Sequence, residues 1–170
     1  RPFRRQRQMC IRDSYIIIQM KFSVNQKDLQ QSLGFCQGVI EKRSTLPILS
    51  NILLEAYNSK LKITATDLDL IFINEINDVE VIEEGKTTTT SSTLYDIIRK
   101  FSSGKKINFN LTTENKIQLE SEKSVFNLNC MSADEFPLME ENFTENEFVL
   151  KSKQFLKLLS KCKFSISTDE

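Results

Sequence analysis

The sequence predicts an α+β protein in which two helices pack on antiparallel sheets, followed by the first strand and helix of a second copy. Two patterns carry this prediction. Helical apolar spacing alternates along the chain with runs of two-residue periodicity. In addition, residues 21–40 align without a gap with residues 147–166, 126 positions later. The matched apolar pairs are Phe22 and Phe148, Val24 and Leu150, Leu29 and Phe155, Leu33 and Leu159, Cys36 and Cys162, and Ile40 and Ile166. A self-match at this spacing indicates a duplicated domain rather than a short solenoid repeat.

The first copy opens with a short strand at 21–24 and a helix. Asn25 is a favourable N-cap residue for that helix. Leu29, Leu33 and Cys36 follow the spacing of one buried helical face. We therefore expect this helix to pack on a sheet through these three residues.

A strand-rich block and a second helix complete this copy. Ser91 or Ser92 is expected to cap the second helix, which is predicted to run through Phe101. After this helix a three-stranded meander is predicted to end the copy, because apolar residues there alternate strictly with polar ones. The strands are expected at 48–57, 61–66, 70–76, 79–82 and 87–90, then around 107–111, 117–119 and 126–130.

Four segments are predicted along the chain. Residues 1–19 are rich in arginine and poor in acids, as in a transit peptide. Residues 8–14 also resemble translated sequencing-library adapter, which we favour, so we expect a non-native or disordered leader and a natural start at Met20. The remaining segments are a first domain at 20–138, a linker at 139–146 and the truncated start of a second domain at 147–170.

Composition places the chain among ordinary globular proteins, with 39% hydrophobic and 27% charged residues. No apolar run reaches the roughly 18 residues of a membrane span. The four cysteines show no C-x-x-C spacing, which favours a reducing cytosol. There is no histidine, which removes the commonest general base and metal ligand. We predict no catalytic residue, no metal and no cofactor.

Positive charge concentrates on the predicted helices and the loop after the first one, whereas acids concentrate in strands, turns and the linker. Helices with a basic face on an otherwise acidic protein suggest that a polyanion binds the helical side. Such contacts would reach phosphates, weaken with salt and ignore base sequence. The basic residues are Lys27, Lys42, Arg43, Arg99, Lys100, Lys153, Lys157 and Lys161.

Two motifs have a chemical interpretation that we weigh against a plain one. Residues 85–87 mimic the end of a P-loop, but the partner glycine position holds Glu80, so we do not expect a phosphate cradle. Asp67 and Asp69 could hold a divalent metal through oxygen atoms. A turn in which aspartate accepts backbone hydrogen bonds is the better prediction for this pair.

Several stretches then resemble one family. These are the opening Met20-Lys21-Phe22, the segment 43–51 (RSTLPILSN), the segment 64–69 (TATDLD) and the segment 132–137 (SADEFP). In this order they are similar to the first domain of the bacterial DNA polymerase III β subunit, the replicative sliding clamp. The similarity covers residues 20–170.

The resemblance implies a non-catalytic, ring-forming protein. In that family three copies of one domain make a subunit, and two subunits close head-to-tail around double-stranded DNA. The helices line the hole, the sheets lie outside, and the ring tethers the polymerase. Polymerase and clamp-loader subunits would bind through domains outside this chain.

The resemblance also implies site residues. Arg43 matches a DNA-contacting arginine of the family, whereas Ser92 stands where some relatives carry a second one. Helix-face charge adds weaker DNA-binding candidates, which are Lys42, Lys27, Arg99, Lys153 and Lys157. An apolar pair expected against the partner subunit, with a basic neighbour, comprises Phe126, Leu128 and Lys123. For the apolar pair a core-facing role is the alternative.

Two other functions are left open by the residues alone. The first is an adaptor whose basic helices bind acidic proteins instead of DNA. The second, less favoured, is a metal-dependent nuclease that uses Asp67 and Asp69. Binding to acidic peptides would indicate the first function, and magnesium-dependent cleavage would indicate the second.

Overall fold

The computed structural model describes residues 20–40, 46–112, 115–138 and 149–166. The chain divides into two compact units, residues 1–139 and 140–170. The first unit contains nine strands and two α-helices in its described part. They are β1 (Lys21–Asn25), α1 (Gln26–Cys36), β2 (Asn51–Tyr57), β3 (Lys60–Thr66), β4 (Ile71–Ile76), β5 (Glu80–Glu83), β6 (Gly85–Thr90), α2 (Ser91–Ile98), β7 (Lys106–Thr112), β8 (Lys116–Ser121) and β9 (Ser124–Met131).

The nine strands form one sheet in the order β4-β3-β2-β6-β9-β8-β7-β1-β5. Neighbouring strands pair antiparallel throughout. β9 joins the two halves of the sheet, β4-β3-β2-β6 on one side and β8-β7-β1-β5 on the other. Residues 124–129 pair with β8, whereas only Cys130 and Met131 pair with β6. The predicted α+β class, with two helices on antiparallel strands, is confirmed.

The core lies between the sheet and the two helices. Leu29, Leu33 and Cys36, the predicted buried face of α1, are fully buried. Phe22 of β1 stacks on Phe109 of β7, with ring centres 4.6 Å apart and planes 7° from parallel. Burial raises the pKa of the Cys36 thiol to about 12, so this cysteine stays neutral and packs as a small hydrophobic residue.

The turns between neighbouring strands have the backbone conformation that tight hairpins need. Asn58 and Ser59, between β2 and β3, both have positive φ (46° and 58°). Two consecutive positive φ values match the right-handed twist of the flanking strands. Asn115 and Glu122, at the two meander turns, also lie in this region (54° and 53°).

Two predicted element boundaries are wrong by three residues, and others differ by one or two. β2 begins at Asn51 and not at Ile48, because Pro47–Ser50 forms a 3-10 turn closed by a hydrogen bond from Ser50 Oγ to the Pro47 carbonyl (2.7 Å). α2 ends at Ile98 and not at Phe101. Its last carbonyl accepts a hydrogen bond from Gln26 Nε2 (3.0 Å), which satisfies the helix end.

The N-cap of α2 also differs from the prediction. Thr90, and neither Ser91 nor Ser92, occupies that position, and its side chain makes no capping bond. Its hydroxyl instead donates to Asn51 Oδ1 on β2 (3.1 Å). The Ser91 hydroxyl accepts from Gln37 Nε2 (2.7 Å). Both hydroxyls therefore serve tertiary contacts.

The second unit contains α3 (Ser152–Cys162) and a 3-10 turn at Lys163–Ser165. α3 begins and ends 126 positions after α1, so the repeat holds at the level of the helix. The predicted strand at 147–150 is wrong for Val149 and Leu150, which form no strand; its first two residues lie outside the described ranges. The apolar residues of α3 are exposed, and this unit has no described strand to cover them. The exposed residues are Phe155, Leu158, Leu159 and Cys162.

Candidate nucleic-acid interface

α1 and α2 pack side by side in opposite directions. At one end of the pair, Gln26 near the start of α1 bonds the Ile98 carbonyl at the end of α2 (3.0 Å). At the other end, Gln37 after α1 bonds Ser91 at the start of α2 (2.7 Å). A side-chain amide thus closes each end, and the helices present one shared solvent-facing surface.

This pairing brings predicted cations together. Lys27 lies in the first turn of α1, and Arg99 and Lys100 directly follow α2, so all three belong to the same end of the helix pair. All three are exposed. Asp28 and Asp96 on the same helices are exposed as well, which leaves this helix surface only weakly positive.

Arg99 has two neighbours on α2. Its guanidinium carbon lies over the Tyr95 ring, 5.5 Å from the ring centre. Asp96 Oδ1 is 3.9 Å from Arg99 Nη1, and both side chains are more than half exposed. An exposed ion pair of this length contributes little free energy, so Asp96 holds Arg99 only weakly.

The remaining DNA-binding candidates fall in two places. Lys42 and Arg43 lie outside the described residues. Lys153 and Lys157 are exposed on α3, where their four-residue spacing places them on one helical face. Ser92, at the position of a family arginine, is exposed in the first turn of α2 and carries no charge.

The predicted interface residues lie on β9 and the turn before it. Leu128 is 9% exposed and belongs to the core, as the alternative interpretation expected. Phe126 is half-buried, and its ring meets the Phe101 ring edge-on at 5.6 Å. Lys123 is exposed in the β8–β9 turn. Of the apolar pair, only Phe126 has surface left for a partner.

β9 has an open edge that sequence reasoning missed. Among the strands that the structure describes, none pairs with residues 124–129 on the side away from β8. The Cys130 amide donates to the carbonyl of Asn115, which directly precedes β8 (2.8 Å). The Asn129 carbonyl accepts from the Thr89 hydroxyl of β6, on the other side of the strand (3.2 Å). Because backbone groups alternate sides along a strand, Val125 and Asn127 direct their N–H and C=O groups to the open side.

The two alternative motifs have structural roles. Asp67 Oδ1 accepts hydrogen bonds from the Asp69 and Leu70 amides (3.1 and 2.6 Å), which is the predicted turn. No cluster of potential metal ligands occurs within the described part of the chain. Lys86 lies on β6 and bonds Asp134 (2.7 Å), which raises the pKa of Lys86. No described helix is long and apolar enough to cross a membrane.

Comparison with known proteins places this fold in one family. A family model described as DNA polymerase III beta subunit, N-terminal domain, matches residues 20–140. The beta sliding clamp of Caulobacter vibrioides is 34% identical over 152 residues, which are 89% of this chain and 41% of that protein. The Escherichia coli K12 beta sliding clamp is 32% identical over 148 residues, 87% of this chain and 40% of that protein.

Solved structures agree with the sequence relatives. A crystal structure of the C. crescentus beta sliding clamp superposes with a TM-score of 0.85 at 33% identity, covering 91% of this chain and 41% of that one. This chain therefore spans about two fifths of the length of the relatives it matches. The matched range contains both helices and all nine strands of the first unit, and the chain belongs to the family of the DNA polymerase III beta subunit.

Proposed function

We propose that this chain is the N-terminal part of a sliding clamp, a non-catalytic processivity factor of the replicative DNA polymerase. Two copies of the whole protein would close as a ring around duplex DNA and bind it without sequence preference. The observation that carries this proposal is an antiparallel helix pair on a sheet whose strand β9 has an open edge.

The open edge supports ring formation for a geometric reason. A strand from a neighbouring subunit can continue the sheet by pairing with Val125 and Asn127. Such continuation keeps the helices of successive modules on the same side of the extended sheet. Phe126, with its remaining exposed surface, and Lys123 would lie beside that junction.

The charges of the helices support a sliding contact. Lys27, Arg99 and Lys100 exceed the nearby carboxylates Asp28 and Asp96 by one charge. In the second unit, residues 151–163 carry five lysines and no acid. Contacts of this kind attract phosphates but are individually weak, which suits a ring that must move along DNA. Polymerase and clamp-loader subunits would bind parts of the protein beyond this chain.

Topological binding has a direct test. Full-length protein, loaded on a nicked circular duplex, should remain on it at a salt concentration that screens phosphate contacts. It should be lost once the circle is cut, because a ring can then slide off the ends. Equal loss from circular and linear DNA would contradict encirclement.

Arg43 can be tested for phosphate contact. In the full-length protein, Arg43→Ala should lower the slope of log binding constant against log salt concentration by about one unit. Lys86→Ala is the matched control, since this exposed cation on β6 is already paired with Asp134, and it should leave the slope unchanged. An unchanged slope for Arg43→Ala would remove Arg43 from the interface.

A further inference from the structure

We infer that Tyr95 is a positioning residue, which holds the Arg99 guanidinium on the helix surface so that it can contact a DNA phosphate. This inference rests on the proposed function and adds a residue that carries no charge. Tyr95 was not among the residues that sequence reasoning selected.

Tyr95 is placed by both helices. It precedes Arg99 by one helical turn on α2, and residues four apart are neighbours on a helix surface. Its ring is half-buried and lies over Gly34 of α1, where a methyl group would stand 3.8 Å from Tyr95 Oη and 3.9 Å from Cε2. The ring therefore lies beside α1 at a position that has no side chain, and it provides a surface for Arg99.

An aromatic surface differs from a carboxylate in its effect on arginine. A close carboxylate would occupy the guanidinium N–H groups and neutralise the charge. The face of a ring attracts the cation through its quadrupole and leaves the five N–H donors free at the guanidinium edge. Asp96, at 3.9 Å, is too distant to take up those donors.

The location of the Tyr95–Arg99 pair distinguishes it from an ordinary surface contact. Arg99 belongs to the end of the helix pair that also carries Lys27 and Lys100. The other salt bridges that the structure records among the described residues are shorter, from 2.7 Å for Lys86–Asp134 to 3.7 Å for Lys62–Glu55. Arg99 is thus placed over the Tyr95 ring, and Asp96 holds it only loosely, through an exposed ion pair of 3.9 Å.

The test measures duplex binding by the full-length protein over a range of salt concentrations. Tyr95→Phe keeps the ring and should bind like the unmodified protein. Tyr95→Leu removes the ring but no charge, so affinity should fall about two- to fivefold with the salt slope unchanged. Arg99→Gln should lower the slope by about one unit. In the Arg99→Gln background, Tyr95→Leu should have no further effect.

A second variant covers the case in which Tyr95→Leu does not fold, as judged by circular dichroism. Arg99→Lys keeps the charge without the planar guanidinium, and should reproduce the affinity loss at unchanged slope. The inference is overturned if Arg99→Lys binds as tightly as the unmodified protein. It is also overturned if Tyr95→Leu weakens binding equally with and without Arg99.

If Arg99→Gln changes nothing while the ring remains on circular DNA, this inference fails and the clamp proposal stands. Loss of unmodified protein from circular and cut DNA alike would overturn both.

Discussion

Replacing Phe109 with alanine is expected to lower the free energy of unfolding of the first unit by about 3–5 kcal/mol. Phe109 is fully buried and stacks on Phe22, which is also buried. Deleting the ring removes its transfer free energy and leaves a cavity between β1 and β7. Domains of this size are stable by only about 5–15 kcal/mol, so the loss is a large share. Urea denaturation followed by circular dichroism measures it.

Ile82→Ala is the control for this prediction. Ile82 lies on β5, near the same strands, but is 60% exposed. Its truncation should change the free energy of unfolding by no more than about 0.5 kcal/mol. A change below about 1 kcal/mol for Phe109→Ala would show that this ring does not lie in a tightly packed core.

Asn127→Pro is expected to weaken the proposed dimer of the full-length protein by about tenfold to a hundredfold. The Asn127 amide faces the open edge of β9, so proline removes a donor on that side and adds bulk there. The ladder to β8 should survive, because its bonds come from the alternate residues. Sedimentation velocity over a concentration series measures the monomer–dimer equilibrium.

Asn127→Ala is the matched control, since it shortens the same side chain and keeps the backbone donor. It should dimerise like the unmodified protein. Normal dimerisation of a folded Asn127→Pro variant would contradict the proposal that a neighbouring subunit pairs with the open edge of β9. Loss of dimer in both variants would instead assign the contact to the Asn127 side chain.

Elements with one buried face could be predicted from the sequence. Leu29, Leu33 and Cys36 lie on the buried side of α1, and the alternation from Ile107 onward corresponds to β7, β8 and β9. These patterns arise because burial imposes the helical or two-residue period directly on the chain. Local periodicity does not encode strand order, so the place of β1 between β7 and β5 could not be predicted.

The ends of α2 show where local rules failed. The hydroxyls of Thr90 and Ser91 were available for capping, but Asn51 and Gln37, far away in the sequence, engage them instead. Similarly, the carbonyl of Ile98 is satisfied by Gln26, 72 residues earlier. A capping preference of about 1 kcal/mol is outweighed when tertiary packing offers each group another partner.

The candidate site was predictable only in part. Helix-face charge identified Lys27 and Arg99, but their placement at one end depends on the antiparallel packing of the helices. Tyr95 was missed because an aromatic residue at a half-buried helix position usually packs against the hydrophobic core. Its four-residue spacing to Arg99 was the available signal. The open edge of β9 had no signal, because it depends on where β6 stops.

The short open edge on β9 has a mechanical consequence. Among the described residues, the stretch without a strand on that side is 124–129. A docked strand can therefore gain few backbone hydrogen bonds, each contributing about 0.5–1.5 kcal/mol net. Pulling along the strand loads all of these bonds together, whereas lifting one end breaks them in succession. In the proposed ring, a seam of this kind would resist shear as the ring moves along DNA, but it would open under a small force applied at one end of the strand.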